Sequence, residues 1–153
     1  MLLVGCKVKD FELFSHNLER VKLSEQQEPV VLVFYPGAFT SVCERELCTF
    51  RDSLAKFNNL GVTVLGISVD SPFANKAFAE KNRLNFRLLS DFGAKVSREY
   101  CGVHEDFLGV PGFVVSKRAV FVIKNGEIKY SWISDDPGKE PPYEEVFALL
   151  KSI

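Results

Sequence analysis

Six apolar residues in a row, Val30-Val31-Leu32-Val33-Phe34-Tyr35, constrain this chain more than any other stretch. The run is β-branched and aromatic, with none of the apolar–polar alternation of a strand that has one wet face. It therefore reads as a strand buried on both sides, the kind that parallel sheets place between layers of helices. A helical pattern follows from about Ser41 to Asn58, with Val42, Leu47, Phe50, Leu54 and Phe57 at helical spacing. Val62–Val69 is a second buried strand. Asp70-Ser71-Pro72 then supplies an N-cap and a proline at the first helical position, starting a helix that runs to about Asn82. Phe86–Leu89 is a third strand, after which Asp91 caps a helix over Phe92–Tyr100 that Gly102 ends.

The flanks are antiparallel. Phe11–Leu13 and Val21–Leu23 form a short N-terminal hairpin around Asn17. Ala119–Lys124 and Glu127–Ile133 form another around the turn Asn125-Gly126. Pro137, Pro141 and Pro142 punctuate a loop that leads into a closing amphipathic helix, Tyr143–Ser152. Two parallel βα units followed by a hairpin and a helix predict an α/β, thioredoxin-like fold: one domain over residues 1–153, with a central mixed sheet, helices on both faces and an N-terminal β-hairpin. Composition agrees, since 46% hydrophobic and 25% charged residues exclude a disordered chain. With 19 basic against 20 acidic side chains there is no cationic excess to hold a nucleic-acid backbone, so no nucleic-acid partner is expected. No stretch reaches the ~18 apolar residues of a membrane span, and the run before Lys7 is too short for a secretory signal. The expected location is the cytoplasm, where disulfides are transient rather than structural.

The four cysteines are too few for a disulfide scaffold, and a domain of this size is stabilised by burial alone, so each is read for its own chemistry. Cys43 falls in the first turn of the helix that follows the buried strand. That edge of an open α/β sheet is where ligands bind. A helix N-terminus offers free N–H groups and the positive end of the dipole, which favour an anionic sulfur. An ordinary thiol is only about 3% ionised at neutral pH, and raising that to about 90% takes roughly 3.4 kcal/mol. A helix terminus supplies about 0.3–1 kcal/mol, or up to ~2 when partly buried, so further donors are required. Thr40 is placed either to cap the helix or to point its hydroxyl at the sulfur, and a cation from elsewhere in the chain would add more.

Plainer readings stand beside these. Cys43 and Cys48 could be buried packing residues, Glu46 could complement the helix dipole, and Arg118 could be a solvated strand-end cation beside Lys117. Cys101, next to Gly102, reads as structural, and Cys6 as incidental. His16 and His104 are lone histidines with no spacing that pairs them to a cysteine. The absence of a Cys-x-x-Cys argues against a dithiol reductase and against a zinc knuckle.

Pro36, Thr40 and Cys43 spell Pro-x-x-x-Thr-x-x-Cys, Glu46 follows three residues later, and Arg118 opens the strand in Ser116-Lys117-Arg118-Ala119-Val120-Phe121. On these residues, and over nearly its whole length, the chain resembles the peroxiredoxins. The resemblance implies a thiol-dependent peroxidase for hydrogen peroxide and alkyl hydroperoxides, with no cofactor and no metal, working as a monomer or homodimer. It makes Cys43 the peroxidatic nucleophile, which attacks a peroxide oxygen and becomes a sulfenic acid. Arg118 and Thr40 would hold sulfur and peroxide, Pro36 would shield the sulfur, and Glu46 would orient polar partners.

The Cys43-x-x-x-x-Cys48 spacing resembles the bacterioferritin-comigratory-protein (peroxiredoxin Q) type. There the second cysteine closes an intramolecular disulfide that a thioredoxin-like dithiol reduces. Phe39-Thr40, Glu46-Leu47 and Phe50-Arg51-Asp52 resemble a one-cysteine group, in which an external thiol takes that role; Cys101 is the reserve partner. Residues five apart on an α-helix lie about 8–9 Å apart and point roughly 140° away from each other. A disulfide needs less than about 7 Å, so pairing Cys43 with Cys48 requires the first turns of this helix to unwind. A peroxide sensor or redox chaperone, and a thiol–disulfide oxidoreductase on the same fold, are the competing function classes.

Overall fold

The structure is a computed structural model that describes residues 1–57 and 61–153, with 54–57 by backbone alone. At its centre is β3 (Val30–Phe34), every residue of which is buried. Its side chains alternate between two cores. Val30, Leu32 and Phe34 face one, while Val31, Val33 and then Tyr35 face the other. This alternation is why the run is apolar without a break: each face of the strand meets its own layer of helices.

β3 pairs in parallel with β4 (Thr63–Ser68), which pairs in parallel with β5 (Arg87–Ser90). The two crossovers are α1 (Ser41–Phe57) and α2 (Pro72–Lys81). On its other side β3 pairs antiparallel with β8 (Arg118–Lys124), which turns at Asn125-Gly126 into β9 (Glu127–Ser134). The N-terminal hairpin of β1 (Glu12–Ser15) and β2 (Arg20–Lys22) adds to the far edge, giving a seven-stranded mixed sheet in the order β2-β1-β5-β4-β3-β8-β9. α1, α2 and α4 (Tyr143–Ser152) cover one face, contributing Cys43, Leu47, Phe50, Phe78, Val146 and Leu150 to its core. α3 (Lys95–Tyr100) covers the other, where Tyr100 stacks on Phe34 at 5.7 Å. The expected mixed sheet with helices on both faces is therefore present. Among the described residues no helix is long and apolar enough to cross a membrane.

Several boundaries differ from the sequence reading. The N-terminal strands are displaced, because Leu23 enters a short 3-10 turn instead of extending β2. The third strand begins at Arg87, not Phe86, and extends to Ser90. The third helix begins at Lys95 instead of Phe92, because Gly93 and Ala94 both take positive φ angles (93° and 62°) and bend the chain first. Asp91 still caps it from outside the helix: its carboxylate accepts from Val96 N (3.2 Å), Ser97 N (2.7 Å) and Ser97 Oγ (2.8 Å). A two-residue ladder between β6 (Val103–His104) and β7 (Val115–Ser116) has no counterpart in the sequence reading; strands that short carry no periodic signal. The predicted end of α1 at Asn58 lies outside the described residues. Ser71 caps α2 as expected, accepting from Ala74 N at 3.1 Å.

Asp91 is 1% exposed, so removing its carboxylate would leave buried donors unpaired. Asp91→Ala should lower unfolding stability by about 2 kcal/mol in urea titration, with an unchanged m-value.

Candidate active site

The register between β3 and β8 creates the site. Phe34 lies opposite Ala119, so Arg118 stands beside the end of β3, where the chain leaves the sheet for α1. The connecting loop is tightly fixed. Asp70, at the end of β4, accepts the Ala38 N–H at 2.8 Å and is itself bonded by the Ser68 hydroxyl at 2.8 Å. Phe39 takes a positive φ of 65° and packs its ring edge against Phe78 at 5.3 Å. Tyr35 is anchored by its hydroxyl, which donates to buried Asn75 at 2.7 Å. The loop thus delivers Cys43 to the first turn of α1 with its side chain fully buried.

The Cys43 sulfur meets Arg118. Nη2 of Arg118 donates to Sγ at 3.1 Å, and Nη1 donates to Glu46 Oε1 at 2.8 Å. The carbonyl of Pro137 accepts from Nε (3.2 Å) and Nη2 (2.7 Å). Arg118 is 1% exposed and Glu46 0%. Burying the guanidinium carries a desolvation penalty of several kcal/mol, so its position is not explained by stability. Its geometry instead aims a rigid cation at one sulfur. Burial works against the charged guanidinium, but the neighbouring charges of Glu46 and Cys43 outweigh it and hold the group above its usual range. Arg118 is therefore a fixed positive charge within hydrogen-bond reach of Sγ, in a site where water screens little.

Thr40 is exposed, and its carbonyl opens α1 by accepting Glu44 N at 2.9 Å. Its hydroxyl neither caps the helix nor points its proton at the sulfur, the two placements its position in the sequence suggests, but donates to the Gly37 carbonyl at 3.1 Å. With its proton engaged there, the Thr40 oxygen keeps its acceptor capacity. Pro36 is buried, and together with Thr40, Ser41, Val42 and Arg118 it lines a cleft of about 220 Å³ whose wall includes the arginine that reaches the sulfur. Phe107, Leu108, Pro137 and Gly138 complete the cleft. None of these four stands out as a site residue in the sequence. Pro137 contributes through its backbone carbonyl, for which no side chain gives a signal. Phe107 and Leu108 arrive through the small β6–β7 ladder.

Cys48 and Cys101 have partners of their own, away from Arg118. Cys48 is on α1, half-buried, with its thiol donating to Asn82 Oδ1 at 3.6 Å; burial pushes that thiol up. Cys101 is buried against Ser116 Oγ at 3.4 Å, and burial pushes it up to about 12. Cys6 is exposed, and all four are free thiols. Among the described residues no cluster of metal-ligating side chains forms.

The family model for the AhpC/TSA family matches residues 4–131. A chloroplastic peroxiredoxin Q of Populus jackii is 47% identical over 94% of this chain and 65% of its own length. One of Gentiana triflora is 43% identical over 82% and 56%, so the chain spans less than two thirds of these two relatives. Among solved structures, peroxidoxin BcpB of Mycobacterium tuberculosis superposes with a TM-score of 0.86 at 33% identity, covering 100% of this chain and 99% of that one. A cysteine-to-serine mutant of PrxQ from Xylella fastidiosa superposes with a TM-score of 0.86 at 26% identity over 99% and 97%.

Glu46 gives the site a measurable signature. One of its oxygens, Oε2, is buried without a partner among the described residues, and burial raises its carboxyl to about 8 against the pull of Arg118. A carboxyl raised in the folded state holds its proton more tightly than in the unfolded chain. Its contribution to stability is thus present below pH 4.5 and is lost as pH rises towards 8. The melting temperature of the native protein should fall more steeply between about pH 5 and 8 than that of Glu46→Gln, which cannot titrate. Parallel profiles by calorimetry would contradict this.

Proposed function

The chain belongs to the AhpC/TSA family of peroxiredoxins, and from that premise we propose that it is a thiol-dependent peroxidase with Cys43 as nucleophile. One observation carries the reading: the Arg118 guanidinium donates to a buried Cys43 sulfur at 3.1 Å in the first turn of a helix. A cation and a helix N-terminus on one thiol favour its anionic, nucleophilic form.

The reaction follows from the groups at hand. A peroxide enters the cleft with its O–O bond directed at Sγ. Thr40, its own proton engaged by Gly37, accepts the peroxide O–H. The Cys43 thiolate attacks one oxygen; an S–O bond forms, the O–O bond breaks, and the departing oxygen takes from water the equivalent of the proton the thiol released on ionising, leaving as water or alcohol. Sulfur is oxidised by two electrons and the peroxide reduced by two. The guanidinium stabilises the negative charge passing from sulfur to the departing oxygen, a contribution worth about 2.7–4 kcal/mol for a comparable donor elsewhere. Glu46 and the Pro137 carbonyl hold the guanidinium plane in place. Val42, Phe107 and Leu108 give the cleft an apolar wall, which suits an alkyl hydroperoxide as well as hydrogen peroxide.

Cys48 then closes the cycle. Its thiolate attacks the Cys43 sulfenic acid; the S–S bond forms, the S–O bond breaks, and hydroxide leaves as water. A thioredoxin-like dithiol reduces the disulfide, in a compartment that keeps thiols reduced, such as the cytoplasm. Because α1 is continuous through both cysteines, pairing them requires its first turns to unwind.

Cys43→Ser should abolish peroxide consumption, and retained activity would refute the peroxidase. Cys48→Ser should consume one equivalent of peroxide and then stall with thioredoxin; continued turnover would transfer the resolving step to an external thiol. Arg118→Lys keeps the charge but loses the fork, and should slow the first oxidation by roughly 100-fold in stopped-flow measurements.

A further inference from the structure

The C-terminal turn of α2 grips α1 through polar contacts that the peroxide step does not use. Lys81 Nζ donates to Glu44 Oε1 at 3.0 Å, and its ammonium lies 5.6 Å from the centre of the Phe39 ring. Asn82 Oδ1 accepts the Cys48 thiol at 3.6 Å. The Asn82 carbonyl accepts Arg51 Nη1 at 2.5 Å, and Asn85 Nδ2 donates to the Arg51 carbonyl at 3.3 Å. Asn82 is in turn held to its own helix, donating from Nδ2 to the Phe78 carbonyl at 3.1 Å. On α1 the gripped residues are Glu44, Cys48 and Arg51. Their spacing of four and then three makes one stripe down a single helix face.

This stripe includes Cys48 and lies in the segment that must unwind. We propose that Lys81 and Asn82 form a clasp on α1, acting as positioning residues that set how fast Cys48 reaches the Cys43 sulfenic acid. The proposal rests on Cys48 being the resolving cysteine. While the clasp holds, the Cys48 thiol faces Asn82 and α1 stays helical. When it opens, the Glu44, Cys48 and Arg51 ties are lost together and the turns between the cysteines are free to uncoil.

The sulfenic acid has two fates. In one, Cys48 attacks it as above and water leaves. In the other, a second peroxide oxidises it by two further electrons to the sulfinic acid, with water or alcohol leaving. The first fate needs α1 open and the second needs only the sulfenic acid and peroxide. The clasp therefore acts on the ratio of the two products and not on whether the first oxidation occurs.

The test measures that ratio. Protein is mixed with a fixed excess of hydrogen peroxide, quenched by thiol alkylation, and the Cys43–Cys48 disulfide and Cys43 sulfinic acid are counted by mass spectrometry. Lys81→Ala/Asn82→Ala should raise the disulfide-to-sulfinate ratio roughly five-fold. Lys81 is exposed, so Lys81→Glu places a repelling charge beside Glu44 without threatening the core; it should also raise the ratio, and Glu44→Lys/Lys81→Glu should restore it. A ratio that is unchanged or lowered in Lys81→Glu, or that stays high in the charge-swapped pair, overturns the clasp. The native protein separates this failure from that of the parent reading. If it forms no Cys43–Cys48 disulfide, the resolving role of Cys48 fails; if it forms one at the same ratio as every variant, only the clasp fails.

Discussion

The buried guanidinium of Arg118 is the constraint around which the site is arranged. Removing such a cation from water costs several kcal/mol, and the cost is offset only if its donors are met by acceptors in the right plane. Four of its five N–H donors are met by Glu46, by Cys43 and, twice, by the Pro137 carbonyl. Those acceptors come from α1 and from the loop between β9 and α4, while Arg118 itself opens β8. Three distant pieces of chain must therefore converge to within hydrogen-bond distance. The sheet makes this possible, since the β3–β8 register fixes where β8 begins relative to the end of β3.

α1 carries two opposed requirements. Its N-terminus must be rigid, because Cys43 is useful only while its sulfur stays beside Arg118. Buried Leu47 and Phe50 pin that part of the helix to the core beneath. On the proposed cycle its first turns must also give way, because Cys43 and Cys48 cannot meet on an intact helix. Proteins reconcile such demands by giving neighbouring segments different local stabilities. Here the inner face of α1 is held by apolar packing, while its face towards α2 is held by polar contacts that are individually weak in water. A helix fastened by such contacts can open locally without unfolding the sheet.

The legibility of each part follows from the range of the interactions behind it. β3 is plain because its neighbours on both faces are apolar, which leaves an unbroken run in the sequence. α2 is plain because Ser71 and Pro72 are local signals that act within one turn. The start of α3 is misread because Asp91 caps from a distance, across Gly93 and Ala94 in left-handed backbone. β6 and β7 leave no trace because two residues cannot establish a period. The Thr40 hydroxyl is the other miss: sequence spacing places it near Cys43, but the local turn directs its proton to Gly37.

Residue type and spacing alone are enough to find the sheet's central strands, the helix that starts at the strand end, and the cysteine in its first turn. These depend on a few turns of chain, which is all that local propensity and burial patterns require. Arg118 is also legible, through the resemblance of Ser116-Lys117-Arg118-Ala119-Val120-Phe121 to a family pattern and not through anything in the charge balance, which is close to zero. Three features belong to the folded molecule instead: this arginine reaches the sulfur, a backbone carbonyl of Pro137 steadies it, and Cys48 faces Asn82 and not Cys43. The contacts that make them span from 19 to 75 residues of chain. Contacts at that separation are set by strand register and helix packing, which no short window of sequence contains.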